Sequence, residues 1–105
     1  SELMNYTILT AKVIQNLGQS FFSDQTAITE LIVQLPQISK SYPKLIVQLS
    51  IWGKLSYDVA KYYQPDDYII IEGYILIKNI NISNMEDVID RQVDISVFKL
   101  YPLLL

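Results

Sequence analysis

The sequence predicts an all-β domain, a five-stranded barrel with one short helix, and three observations support this prediction. An eight-residue segment, Leu45–Trp52, alternates between apolar and more polar side chains, which is the period of a half-buried strand. The residues directly after Gly53 change to helical spacing. Similar alternating segments lie on both sides, so the order is three strands, one helix and two strands in 105 residues.

Two alternating segments precede the central strand. The first covers residues 6–14, and we expect a turn over residues 15–20. The second covers residues 27–35 and ends before Pro36, because proline cannot donate a hydrogen bond to a neighbouring strand. The link over residues 37–43 is short and polar, so strands two and three should form a hairpin.

A short helix is expected between strands three and four. Apolar residues recur at helical spacing as far as residue 63, and we expect Ser56 to cap the N-terminus, with Asp58 in the first turn. Pro65 ends the helix, and Asp66 and Asp67 then form a turn. The alternative for this acidic pair, a metal or acid–base site, is much less favoured directly after a proline.

The last two strands are expected over residues 68–78 and 91–100, joined by a loop over residues 79–90. Together the elements predict a small, partly open Greek-key barrel of the OB type, in which the helix closes the bottom of the barrel. We interpret residues 1–3 as a cloning remnant and residues 4–105 as one domain.

The composition excludes several kinds of function. The chain has no cysteine and no histidine, so disulfides, thiolate zinc sites, thiol nucleophiles and imidazole bases are excluded. We therefore expect no enzymatic activity, no metal and no cofactor. The chain has no apolar run of the ~18 residues that a membrane-spanning helix needs, so we expect no membrane insertion.

Charge and hydropathy indicate contacts with other molecules. Eight basic and 11 acidic residues give a net charge of -3, so nucleic acid would have to bind at a local patch rather than by bulk charge. Hydrophobic residues make up 50% of the chain, which leaves little polar surface. Ile70 and Leu76 are expected on the outward face of the fourth strand, where exposed apolar side chains favour association. We expect a homodimer or homotetramer built across strand faces or edges.

The single tryptophan is the strongest candidate site residue. Trp52 ends the third strand on its more polar face, and Lys54 follows closely. An aromatic ring beside an ammonium group suits single-stranded nucleic acid, which binds by base stacking and phosphate neutralisation. The alternative for Trp52 is packing against a second protomer. Tyr74 and Tyr42 are candidates to add stacking surface, and Lys78 to contact phosphate; the alternatives are strand packing and ordinary solvated lysine.

The stretch over residues 51–73, IWGKLSYDVAKYYQPDDYIIIEG, resembles the bacterial single-stranded DNA-binding protein (SSB) family. In that family a strand ends in an aromatic followed by Gly-Lys-Leu, and a helix then leads to a strand ending in Ile-Glu-Gly. Weaker similarity covers residues 5–14 and the last strand. The chain also resembles the short SSB-like proteins of plastids and cyanobacteria. The resemblance implies an OB fold, a homotetramer and a base-stacking role for Trp52.

The chain also departs from the family pattern. Ile46 and Ile80 stand where aromatics are usual, and the long hairpin between strands two and three is reduced to residues 39–43. Leu76 replaces a usually basic residue, whereas Lys78 keeps its charge. We also expect this protein to lack the acidic tail that recruits partners in the family.

Our primary interpretation is a non-enzymatic OB-fold protein that binds single-stranded DNA weakly, with RNA as another ligand to consider. The alternative is a protein-interaction subunit or adaptor that has lost its nucleic-acid face. The lost aromatics favour the alternative, and the retained Trp-Gly-Lys block opposes it. The resemblance implies a part in DNA replication and a location in the cyanobacterial cytoplasm or the plastid stroma.

Overall fold

The structure, a computed structural model, describes residues 5–81 and 89–104, with side chains over 5–77 and 92–104. The described residues close into a five-stranded barrel with strand order β1-β2-β3-β5-β4, in which the β3–β5 pair is parallel and the other neighbouring pairs are antiparallel. This confirms the predicted fold class. The elements are β1 (Tyr6–Phe21), β2 (Ala27–Leu35), β3 (Leu45–Trp52), α1 (Lys54–Tyr62), β4 (Tyr68–Asn81) and β5 (Ile89–Pro102).

The strands β2 and β3 begin and end at the predicted residues, whereas the prediction for β1 was wrong. The expected turn over residues 15–20 is part of the strand, which continues to Phe21 with register shifts between Val13 and Gln15 and between Asn16 and Gly18. The polar and glycine residues that suggested a turn form bulges instead. Turns and bulges favour the same residues, because a bulge also contains an unpaired residue and often a glycine in the left-handed conformation. Gly18 has a φ of 85°.

One of these bulges attaches the helix to the barrel. Asn16 Nδ2 donates to the carbonyl oxygens of Val59 (3.2 Å), Ala60 (3.3 Å) and Tyr63 (2.7 Å) at the end of α1. Asn16 Oδ1 accepts the Gly18 amide at 2.8 Å. These carbonyl groups lie at the C-terminal end of the helix, where intrahelical partners run out, although the Val59 carbonyl also accepts the Tyr63 amide at 3.3 Å.

The N-terminus of α1 differs from the prediction. The N-cap is Gly53 rather than Ser56, and Asp58 lies outside the first turn. Ser56 is buried inside the helix, where its hydroxyl donates to the Gly53 carbonyl at 2.5 Å. Thr29 of β2 donates to the Ser56 carbonyl at 2.7 Å, and Gln19 of β1 donates to its hydroxyl at 3.2 Å. These bonds hold the chain immediately after Trp52 against the first hairpin.

The core fills the inside of the barrel and includes the helix. Val59 is fully buried among the inward strand residues, and Leu55 and Tyr63 pack against the same cluster. Burial raises the pKa of the Tyr63 phenol, with Asp67 and Asp58 adding to the effect. The helix therefore closes one end of the barrel, as predicted. The inward strand residues are Ala11, Val13, Leu31, Val33, Val47, Leu49, Ile51, Ile69, Ile71, Ile95, Val97 and Leu100.

The two C-terminal strands are longer than predicted. β4 extends to residue 81 and β5 begins at residue 89. Residues 79–81 and 89–90 of the expected 79–90 loop therefore belong to strands, and residues 82–88 lie outside the described residues. The expected turn at Asp66 and Asp67 is confirmed: Asp66 has a φ of 76°, and Asp67 Oδ2 accepts the Gln64 amide at 2.8 Å. The proposed remnant, residues 1–3, also lies outside the description. Within the described ranges, no helix is both long and apolar enough to cross a membrane.

Candidate nucleic-acid interface

Trp52 lies on the outside of the barrel, at the end of β3, with 42% of its surface exposed. Its ring stacks on that of Phe22, with centroids 5.2 Å apart and planes only 10° from parallel. Phe22 is 49% exposed. We call these two residues the indole platform. The stacked pair is partly exposed, so it offers aromatic surface to a planar ligand.

Phe22 reaches the tryptophan because the β1–β2 connection is a tight, hydrogen-bonded turn. The Phe22 amide donates to the Thr26 carbonyl at 3.0 Å, and the Gln25 amide donates to the Phe22 carbonyl at 2.9 Å. Asp24 Oδ1 accepts the Thr26 amide at 3.0 Å. Hydrogen bonds from the amide and the side chain of Thr26 hold the pKa of Asp24 below its ordinary value, so its carboxylate is ionised at neutral pH.

Lys54 stands next to the indole platform in the chain. It is exposed at the start of α1, two residues after Trp52. Between them, Gly53 has a φ of 72°, which turns the chain from strand to helix, and its amide donates to the Ala27 carbonyl at 2.9 Å. A left-handed conformation favours glycine. Both predicted residues are exposed at this end of β3, and their joint role in binding stays a prediction.

A second group of rings lies on the outer face of β1, β4 and β5. Tyr6, Tyr74 and Phe98 are in mutual contact, with centroid distances of 6.3 Å for Tyr6–Tyr74, 5.6 Å for Tyr6–Phe98 and 5.4 Å for Tyr74–Phe98. We call this group the tyrosine cluster. The Tyr6 hydroxyl donates to Glu72, and this hydrogen bond is the main reason that the pKa of Tyr6 is raised.

A bulge in β5 gives the tyrosine cluster a neighbouring cation. Opposite Glu72 and Gly73, the register of β5 shifts between Val97 and Lys99. The inward residues Val97 and Leu100 are therefore three apart rather than two, and both Phe98 and Lys99 between them are exposed. A bulge of this kind places consecutive side chains outside the sheet.

The two aromatic groups lie at the same level on adjacent strands. Ile51 of β3 pairs with Val97 of β5 in parallel register. The next residue on each strand is an outward aromatic, Trp52 and Phe98. The indole platform and the tyrosine cluster therefore adjoin each other across the outer face of the barrel.

The structure brings together some of the predicted site residues and separates others. Trp52 and Lys54 lie at one end of β3, whereas Tyr42 is exposed in the β2–β3 connection at the other end, roughly 23 Å away by the rise per strand residue. Tyr74 belongs to the tyrosine cluster. Lys78 lies in β4, paired with Gln92, and its side chain is outside those described.

Three residues that lie near the predicted ones were not expected from the sequence: Phe22, Phe98 and Lys99. Phe22 follows a strand that was predicted to end at residue 14, and the bulge that exposes Phe98 and Lys99 breaks strict alternation. The spacing of three between apolar Val97 and Leu100 is the signal that could have indicated the bulge. In the described part of the chain, no three acidic side chains come together as a possible metal site.

A closed five-stranded barrel with a helix between the third and fourth strands, and with aromatic rings on its outer face, defines an OB-fold binding protein. No family model matches the chain. The chain is 39% identical over 103 residues to the protein provisionally named single-stranded DNA-binding protein ycf41 of Trieres chinensis, covering 97% of this chain and 91% of that protein. The chain therefore belongs to the single-stranded DNA-binding protein family, which confirms the resemblance.

Two further comparisons agree with this assignment. The thylakoid-associated single-stranded DNA-binding protein slr1034 of Synechocystis sp. is 34% identical over 71 residues, which cover 67% of this chain and 55% of that protein. The solved SSB domain of a Synechococcus sp. protein superposes with a TM-score of 0.73 at 20% identity, covering 96% of this chain and 98% of that one. This structural likeness confirms the OB fold. The names of the curated relatives give DNA binding rather than a catalytic activity.

Proposed function

We propose that this protein binds single-stranded DNA on the outer face of its barrel, with bases stacked on the indole platform and phosphate held by Lys54. The observation that carries this proposal is the exposed Phe22–Trp52 stack beside a lysine, in a chain whose relatives are named for this activity. Stacking on aromatic side chains contributes about 1–3 kcal/mol per base and accepts any base, since every base has a flat face.

The charge of the protein suits weak rather than strong binding. The net charge is -3, and among the side chains described beside the aromatic groups the cations are Lys54 and Lys99, while Glu72 and Asp24 oppose phosphate. Few phosphates can be neutralised by so few cations, so the electrostatic part of the affinity is small. Tyr74 would extend the stacking surface through the tyrosine cluster. Lys78 and Tyr42 remain predicted contacts, and RNA is a second ligand to test.

We further propose a homodimer or homotetramer formed through the outward face of β4. Leu76 is exposed and Ile70 half-buried on this face, with Tyr74 between them. The neighbouring strands add Ile8 and Tyr101, both exposed. Burial of such side chains stabilises association by about 1.5–3 kcal/mol each. If the interface covers Tyr74, the indole platform is left as the main stacking site.

The location also remains a proposal. Relatives of the chain occur in plastids and cyanobacteria, which supports a role in DNA replication or maintenance in the plastid stroma or the cyanobacterial cytoplasm. The adaptor alternative is less favoured, because the relatives are named for single-stranded DNA and the stacked rings remain exposed.

The proposed function is tested by the salt dependence of binding. We expect Lys54→Ala to weaken binding of a labelled (dT)15 oligonucleotide and to reduce the slope of log K against log salt concentration by about 0.7, the value for one phosphate contact on a single strand. Fluorescence anisotropy over a series of salt concentrations measures both quantities.

Lys61→Ala is the matched control, because the Lys61 ammonium lies 5.2 Å from the Tyr62 ring centroid in the last turn of α1, away from the platform. An equal change of slope in both variants would show a general charge effect and contradict a phosphate site at Lys54. Absence of binding to any oligonucleotide at low salt would reject the function itself.

The proposed oligomer is tested by measuring the mass in solution of the native protein and of two variants. Leu76→Asp places a charge on the proposed interface and should reduce the oligomer to a smaller species in analytical ultracentrifugation, because burying an unpaired carboxylate is costly. Ile38→Asp is the control, since Ile38 is 87% exposed in the β2–β3 connection. A native protein that sediments as a monomer, or an oligomer unchanged by the Leu76 substitution, would contradict an interface on this face.

A further inference from the structure

An open pocket lies beside the indole platform. It has a volume of about 320 Å³ and is lined by Phe22, Ser23, Asp24, Thr26 and Trp52. Two of these residues are aromatic, and the other three carry a carboxylate or a hydroxyl group. A site with a flat apolar wall and a few fixed polar groups suits a planar ligand that carries hydrogen-bonding groups on its edge.

The carboxylate in this pocket is fixed and ionised. Asp24 is held by the Thr26 amide at 3.0 Å, and the hydrogen bonds from Thr26 lower its pKa. An ionised carboxylate is acceptor-only and has about four lone-pair sites, so one amide donor leaves capacity for further donors. The pocket therefore selects for ligand edges that carry N–H groups.

The same carboxylate disfavours phosphate in the pocket. A phosphate oxygen beside Asp24 would place two negative charges together, which is unfavourable. A base can enter where the backbone cannot, while Lys54, two residues beyond Trp52, remains available for a phosphate. The pocket is thus suited to the base rather than to the backbone of a bound strand.

We propose that this pocket is a base-selective subsite that prefers guanine, an inference that rests on the proposed binding of single-stranded DNA. Guanine carries two adjacent donors on its Watson–Crick edge, N1–H and the N2 amino group, which match the two oxygens of a carboxylate. Thymine has one N–H between two carbonyl oxygens, and those oxygens face the carboxylate unfavourably. Bases in single strands are read on these edges while they stack on aromatic side chains.

The test compares labelled (dT)15 with the same oligonucleotide carrying one central dG, by fluorescence anisotropy. One guanine avoids self-association of the oligonucleotide. We expect the dG oligonucleotide to bind the native protein about fivefold more tightly, the low end of the discrimination that a bidentate base contact gives. Asp24→Asn should remove this preference while leaving (dT)15 binding equal or slightly stronger, because a negative charge is lost.

Asp24→Asn keeps an oxygen that can accept the hydrogen bond from the Thr26 amide, so the turn should be retained. The control is Asp58→Asn on the exposed face of α1, which also removes one negative charge. A guanine preference that survives Asp24→Asn, or the absence of any preference in the native protein, overturns the proposed subsite. If (dT)15 still binds in a salt-dependent way in that case, the proposed function stands. Failure of every oligonucleotide to bind overturns both.

Discussion

Replacement of Trp52 by alanine should lower the affinity for (dT)15 by roughly 5- to 150-fold, because one base–aromatic stack contributes about 1–3 kcal/mol. The effect should be large because Trp52 and Phe22 form the only stacked ring pair among the described residues. The planes of the two rings are 10° from parallel. The fold should survive, since the side chain is 42% exposed and absent from the core. Anisotropy with the labelled oligonucleotide measures the change in affinity.

Three further variants make this result specific. Tyr62→Ala removes an exposed aromatic from the end of α1, outside the platform, and should leave affinity unchanged. Phe22→Ala should weaken binding, and the double variant should lose less than the sum of the two single losses, because the rings act as one platform. Native affinity in Trp52→Ala would contradict stacking at this residue, and equal losses in Trp52→Ala and Tyr62→Ala would indicate a nonspecific effect.

Replacement of Gly73 by alanine should lower the free energy of unfolding by about 1–3 kcal/mol, the usual cost of forcing an extra carbon into packed structure. A Cβ at this position would lie 2.4 Å from the Ser96 carbonyl oxygen and 3.1 Å from Cγ2 of Ile95. The close approach occurs where the β5 bulge meets β4, next to the exposed Phe98 and Lys99. Urea denaturation measures the change in stability.

Gly18 provides the comparison, because its surroundings are open but its φ is 85°. Gly18→Asn should cost little, since asparagine tolerates the left-handed conformation, whereas Gly73→Asn should cost more than Gly73→Ala because it adds further atoms at the close contact. Full stability of Gly73→Ala would show that β4 and β5 can move apart there, and would remove the structural reason for this glycine.

The strands with clean alternation were predictable from the sequence. In β2 and β3, burial of Leu31, Val33, Val47, Leu49 and Ile51 sets a period of two, and a slip by one residue would expose the whole apolar face. The predicted bounds of these strands are therefore the observed ones. β1 was not predictable in the same way, because Asn16 and Gly18 are typical of turns and of bulges alike.

The candidate site was predictable only in part. Trp52 and Lys54 are neighbours in the sequence, so the chain order alone places a ring beside a cation. Phe22 comes from a different part of the chain and reaches Trp52 only because Ile28 pairs with Trp52 and the 22–26 turn brings Phe22 back over that pair. The register of β1 on β2, with two bulges, decides that meeting.

The sequence by itself determined the fold class, the family and one half of the platform, because periodicity, breakers and a contiguous motif are local properties of the chain. The tertiary structure decided the rest: the β1–β2 turn and the pairing of β2 with β3 stacked Phe22 on Trp52 and placed Asp24 in the pocket beside the indole, and the pairing of β4 with β1 and β5 gathered Tyr6, Tyr74 and Phe98. Such contacts depend on strand register and on bulges, which result from the packing of distant residues against one another rather than from the preferences of any single segment.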